Sequence, residues 1–350
     1  MKTSLISTHS VAQVMRYQLM RMQAELAEKR QEAVTGRVTD PGVKLGAGVS
    51  RTVSMDRDIE RLSGLVDSNS LAANRLAATQ AALNQITDNA QDLLSALTAA
   101  ASGSVDTDVV RHEAVRTLEA VTGILNTSFN GEYLFAGINT DAKPIKPFTD
   151  NPPSDSKAAF DAAFQARFGF AQSDPAAASI TAAEITSFLD NEIAAQFQGA
   201  NWTDNWSDAA DQPIVSRITL NETAETSVTA NEEGFKKLLM AAVAISDLLK
   251  APLSESARDA LIQRAAEIVG EGIADMAGLQ GRTGIAENRV SDATDRISSQ
   301  IDLFKSFIND LEGVDPFEAA TRVNELMTQI EISYTLTSRI QQLSLVRYLT

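Results

Sequence analysis

The sequence predicts a mainly α protein: a long antiparallel helical stem with an inserted, mixed α/β or β-rich, globular module at its tip. Three observations lead there. One heptad pattern runs over residues 55–97, a second over 286–311, and between them lies a block, 141–230, of different composition. Six of the nine prolines, both tryptophans and seven of the thirteen phenylalanines fall in that block. Proline removes a backbone donor and clashes inside a helix, so the block must fold as something other than stem. Its aromatics, with Trp202, Trp206, Phe160, Phe164 and Phe168 among them, are expected to form a small core of their own.

Each element can be justified in turn. Residues 1–50 form an N-terminal helix and loop. Val11, Met15, Leu19, Met22 and Leu26 recur at helical spacing, and seven basic against four acidic residues make this end locally positive. The glycines of 36–48 mark a loop. Residues 51–140 are the first half of the stem. Ile59, Leu62, Val66, Leu76, Leu83, Leu94 and Leu97 repeat in steps of four and three, the seam of a coiled coil. At 1.5 Å per residue this stretch spans roughly 65 Å. Ser102-Gly103-Ser104 ends it, and Asp106 or Thr107 caps a further helix to about Asn126.

Residues 231–312 form the second half of the stem, with Val290, Ile297, Ile301 and Phe304 facing the first half. Gly313 and Asp315-Pro316 break the helix and restart it, since proline is tolerated in a first turn. The last element, 313–350, carries Met327, Ile330, Tyr334, Ile340, Leu343, Val346 and Leu349. Both ends thus present apolar rows set off by a Gly/Pro break. Burying a large apolar side chain is worth ~1.5–3 kcal/mol, and ordering the chain to do so costs a comparable amount. These two rows are therefore expected to be polymer contacts, buried by neighbouring copies and ordered on assembly.

Composition excludes much else. With 350 residues the chain can bury a core without staples. It has no cysteine, which removes disulfides, thiolate metal sites and cysteine nucleophiles. A formal charge of −16 disfavours nucleic acid and anionic membranes as partners. No run of 18 apolar residues is present, and the first residues do not read as a cleavable signal peptide. No catalytic residue, metal ligand or cofactor site is predicted. Gly278, Gly281 and Gly284 lack the strand and the Lys-Ser/Thr pair of a phosphate loop and read as a kink or wide turn. Asp106-Thr107-Asp108 lacks the glycine and closing glutamate of a calcium loop. His9 and His112 have no triad partners and read as helix-face residues. Glu232 and Glu233 read as a solvated face.

Three short motifs resemble the flagellin superfamily, most closely its hook–filament junction branch (hook-associated protein 3). They are Glu32-Ala33-Val34-Thr35-Gly36-Arg37, Phe129-Asn130-Gly131-Glu132-Tyr133-Leu134-Phe135-Ala136-Gly137, and Arg339-Ile340-Gln341-Gln342-Leu343-Ser344-Leu345-Val346-Arg347-Tyr348-Leu349. The resemblance covers about 1–140 and 231–350, and the block between matches nothing recognisable. Filament flagellins usually follow the first helix with a stretch unlike Thr39–Ala47, which favours the junction branch over the bulk subunit. The resemblance implies a non-enzymatic adaptor joining the hook-associated zone to the filament. It implies export by the flagellar type III route without a cleaved signal, and an extracellular location. The implied partners are copies of the chain in a ring, another hook-associated protein, flagellin and an export chaperone. A filament flagellin and a cytoplasmic coiled-coil scaffold or signalling protein are the alternatives.

Overall fold

Stretches rich in Ala, Leu, Gln and Glu lose little side-chain freedom in a helix and stay helical until Gly or Pro interrupts. In the computed structural model, which describes residues 8–349 and the side chains of 10, 11 and 13–339, helices account for 74% of the chain. They are α1 (Thr8–Thr35), α2 (Pro41–Leu45), α3 (Val49–Ala101), α4 (Thr107–Leu125), α5 (Asp155–Phe168), α6 (Ala182–Phe188), α7 (Ala194–Gln196), α8 (Gly199–Asn205), α9 (Glu233–Leu248), α10 (Glu255–Glu312) and α11 (Pro316–Leu349). Two antiparallel ribbons are described beside them: β1 (Ser128–Phe129) with β2 (Glu132–Tyr133), and β3 (Val215–Arg217) with β4 (Thr223–Glu225). The fold is mainly α.

Contacts divide the chain into two units. A central unit takes Leu65–Arg296, and a terminal unit takes the chain up to Gly64 and from Ile297 onward.

In the central unit α3 and α10 run antiparallel. Asn69 Nδ2 reaches Thr294 Oγ1 at 3.2 Å, and Gln280 Nε2 reaches Asn84 Oδ1 at 3.0 Å. The buried side of α3 is a heptad double row. One row holds Asn69, Leu76, Leu83, Ala90 and Leu97, and the other holds Ala72, Thr79, Ile86 and Leu93. The second row lies one residue earlier than the four-three count places it, so Leu93 is buried and Leu94 only half-buried. Leu62, Leu76, Leu83, Leu97, Val290, Ile297 and Ile301 are buried, and Ile59, Val66 and Phe304 are half-buried.

Asp106 caps α4 through the Asp108 N–H at 3.0 Å. Its inner row of Val110, Ala114, Leu118, Val121 and Leu125 packs on α9. In α9 every residue from Leu238 to Leu248 is buried, with Ser246 and Asp247 the polar members of an otherwise apolar stretch that packs on all sides.

The block 141–230 combines short helices with irregular loops, and β3–β4 is its one paired ribbon among the described residues. The β-rich alternative is therefore corrected. Nor do its aromatics make a separate core: they join one cluster with α3, α4, α9 and α10. Phe188 is its hub, with ring centroids 5.6 Å from Phe164 and 5.3 Å from Phe168. Asn231 fixes the far side. Its Oδ1 accepts from Trp202 Nε1 and Ser207 Oγ, both at 2.7 Å, and its Nδ2 donates to the Ala209 carbonyl at 3.0 Å. A buried Lys157 pairs with Asp161 and with buried Asp247 at 3.3 Å. Buried charges persist only when paired, so this contact ties the block to α9.

The Phe129–Gly137 motif is where the chain enters the block. Asn130 and Gly131 both have positive φ, 53° and 86°, the two-residue turn that suits a hairpin. The following residues thread between two later segments. Ala230 N–H donates to Phe135 O at 2.8 Å, and Ala210 N–H to Ala136 O at 3.0 Å. A Cβ on Gly137 would stand 2.6 Å from the carbonyls of Ala210 and Gln212, so only glycine fits there.

Gly278, Gly281 and Gly284 lie within unbroken α10, which corrects the expected wide turn. Isolated glycines in a helix cost about 1 kcal/mol each, and packing over 58 residues overrides that.

Candidate assembly surface

The terminal unit is built on α1 and α11, packed antiparallel. Gln23 Nε2 donates to the Tyr334 hydroxyl at 3.0 Å, and nearer the helix ends Arg37 bridges Gly313. Arg322 donates through Nε and Nη2 to Glu25 Oε1 at 3.1 and 2.9 Å. That hydrogen bond, followed by the one to Glu325, raises the guanidinium pKa still further.

The two glycine breaks, 277 positions apart in sequence, meet as one joint. Val38 N–H donates to Glu312 O and Val314 N–H to Gly36 O, both at 2.9 Å. Lys44 Nζ adds a bond to Gly313 O at 3.2 Å. Gly36 sits at φ 67°, and a Cβ on Gly313 would stand 2.3 Å from Asn309 O. Residues 36–48, expected as a loop, hold α2 and a 3-10 turn. Asp40 caps α2 through the Val43 N–H at 3.1 Å, and Pro41 begins it. That pairing of a capping aspartate with a first-turn proline is a helix-start signal.

A pair of helices buries at most the facing stripes. Val11, Met15, Leu19, Met22 and Leu26 are all half-buried. On α11, Ala319, Leu326 and Ile330 are buried. Of the other residues expected as polymer contacts, Met327 and Tyr334 are exposed. The side chains of Ile340, Leu343, Val346 and Leu349 lie outside the described residues, as does that of His9.

A second set of apolar residues faces outward and was not singled out by periodicity. Val14, Tyr17 and Met20 lie on α1 opposite its half-buried row, and Ile332 and Leu336 are exposed on α11. Val34, Val43 and Phe317 around the joint are 86%, 84% and 85% exposed. On α1, counting one helical stripe finds the half-buried row and passes over the exposed one; on α11 the counted stripe mixes buried Ile330 with exposed Met327 and Tyr334. Of the nineteen large exposed apolar residues described, thirteen belong to the terminal unit.

Among the described residues no group of three acidic, His or Cys side chains could hold a metal, and no helix is long and apolar enough to cross a membrane.

Comparison with known proteins points the same way. Residues 6–140 match the bacterial flagellin N-terminal helical region, and residues 266–349 match the bacterial flagellin C-terminal helical region. No curated protein sequence matches significantly. Among solved structures, a Vibrio parahaemolyticus protein provisionally described as flagellar hook-associated is similar in fold. The TM-score is 0.52 at 10% identity, covering 76% of this chain and 97% of that one. With both helical regions matched in order over more than half its length, and folded as a mainly α stem, the chain belongs to the flagellin family and is a structural component of the bacterial flagellum.

Proposed function

We propose that this chain is the adaptor subunit that joins the hook-associated zone to the flagellin filament, assembling through its terminal unit. The observation that carries the reading is the outward apolar surface of α1, α11 and the joint, which a single copy leaves in water. Flagellin-family proteins self-assemble and associate with other flagellar components, and a surface of this kind is what such assembly consumes. Residues 39–47 support the junction position over the bulk filament, because they build an Asp40-capped turn in place of the usual filament sequence. The description of the similar Vibrio structure supports it too. Copies of the chain, a second hook-associated protein, flagellin and an export chaperone are the partners in this reading. Export follows the flagellar type III route to the cell exterior, and the role is structural, without catalysis.

Immunogold electron microscopy with antibody to residues 141–230 tests the placement. A single band where hook meets filament is the expected result. Label along the whole filament would make the chain a bulk flagellin, and flagella without label would return it to a cytoplasmic scaffold.

A further inference from the structure

A lysine stands where the packing of α5 calls for an apolar side chain. The inward row of that helix is Lys157, Phe160 and Phe164, at steps of three and four, and all three are buried. Against it, in the last turn of α9, Asp247 is 1% exposed. Taking two such charges out of water is costly, and an apolar pair of similar size serves stability as well or better. Stability alone therefore does not account for this pair.

The surroundings of the pair are those of a reactive site. Lys157 Nζ donates to Asp161 Oδ1, one turn further along α5, and lies 3.3 Å from Asp247 Oδ2. The second approach is a contact without a hydrogen bond, since Asp247 Oδ2 accepts none among the described residues. A nitrogen resting against a carboxyl group, off the hydrogen-bond line, stands close to the arrangement from which it attacks the carboxyl carbon, with reacting atoms about 3–3.5 Å apart. The other oxygen of the same carboxyl group, Asp247 Oδ1, accepts from Lys250 Nζ at 3.2 Å. One buried lysine thus touches two carboxyl groups, and a second lysine polarises the buried one.

We propose that Lys157 and Asp247 condense into an isopeptide bond, a covalent tie between α5 and α9 in a chain that has no cysteine for a disulfide. Asp161 accepts a proton from Nζ, and the freed amine attacks Cγ of Asp247. The Lys250 ammonium stabilises the negative charge that develops on Oδ1. The Nζ–Cγ bond forms and the Cγ–Oδ2 bond breaks. Two of the three ammonium protons pass through Asp161 to Oδ2 and leave with it as water, and the third stays on the amide nitrogen. The charges of the pair cancel, Asp161 ends unchanged, and no other reactant is consumed. A groove of about 340 Å³ bordered by Lys157, Asp161, Asp247 and Lys250 gives the released water a way out. Free amines and carboxylates do not condense in water, but groups held in place react with effective molarities on the order of 10⁵–10⁸ M. Asp161 and Lys250 are exposed and stay hydrated, which leaves the buried pair as the one that joins.

The test is the intact mass of purified full-length chain, folded in neutral buffer and denatured for the measurement. Most wild-type molecules are expected to be lighter than the sequence requires by one water. Tryptic digestion should then give a branched peptide joining Lys157 to Asp247, with no cleavage after Lys157. Lys157→Arg is expected to carry the full mass, and Asp161→Asn to hold at least tenfold less linked chain. Wild type at the full sequence mass overturns the proposal. So does a water lost within one linear peptide, or a link that joins other residues. Asp161→Asn chain linked as completely as wild type overturns the assigned proton transfer. The wild-type mass decides by itself, so the test stands even where a variant fails to fold.

Discussion

The two units solve the burial problem differently. The central unit closes around α9, whose residues from Leu238 to Leu248 are all buried, and fills the space beside it with Phe160, Phe164, Phe188, Trp202 and Trp206. The terminal unit has seven buried apolar residues among those described: Leu62, Ile297, Ile301, Ile308, Ala319, Leu326 and Ile330. It leaves thirteen large apolar side chains in water. Both units are built from long helices, so secondary structure does not separate them. What separates them is a third layer. Domains need two or more packed layers around a core. The block 141–230 supplies one to the central unit, whereas α1 and α11 have only each other and the chain near the joint. The terminal unit is therefore the part whose stability is expected to depend on other copies.

The largest effect should come from opening the central core. Phe188→Ala removes a fully buried ring that touches Phe160, Phe164 and Phe168. It is expected to cost about 3–5 kcal/mol, read as a lower urea midpoint in full-length chain. A loss under 1 kcal/mol would mean the core is not the closed body described. The joint comes next. Gly313→Ala forces a Cβ against the Asn309 carbonyl, and relieving that contact should cost about 1–3 kcal/mol. Faster hydrogen exchange at the Val38 and Val314 amides would localise the damage to the terminal unit.

A third variant sharpens the contrast. Tyr17→Asp with Met20→Asp changes two exposed residues, and the melting temperature of dilute monomer should move within the equivalent of about 0.5 kcal/mol. Sedimentable assembly, in contrast, should be lost. The reverse result, a destabilised monomer that still assembles, would place these side chains in a core.

The smallest effect concerns pH. The Thr181 backbone N–H, and after it the Thr181 hydroxyl, hydrogen-bond the Glu184 carboxylate and hold its pKa below the usual range. A depressed carboxylate pKa stabilises the fold above the unfolded group's titration, and that stabilisation is lost as pH falls through the folded value. Glu184→Gln should therefore be slightly less stable than wild type at neutral pH and converge with it in acid. Parallel curves across the acid limb would remove the capping box from the account.

Local chemistry made part of this structure legible in advance. Heptad spacing marked α3 and α10, Asp106 marked the start of α4, and Asp315-Pro316 marked the start of α11. Each of these signals acts over one or two turns, so neighbours in sequence suffice to produce it. The half-buried row of α1 lies at the spacing read in advance, whereas on α11 only Ile330 of the expected row is buried among the described residues, beside Ala319 and Leu326. Tertiary structure decided the rest. Two breaks far apart in sequence, at Gly36 and Gly313, form a single joint because their backbone groups pair with each other. Leu93 rather than Leu94 is buried because the neighbours of α3 lie on that side. The aromatics of 141–230 complete the core of the helices instead of making their own, since an open face on α9 had to be covered. Which of the apolar rows remain in water was fixed only when α1 and α11 came together. A side chain's spacing selects the face it lies on, but only packing decides whether that face is covered.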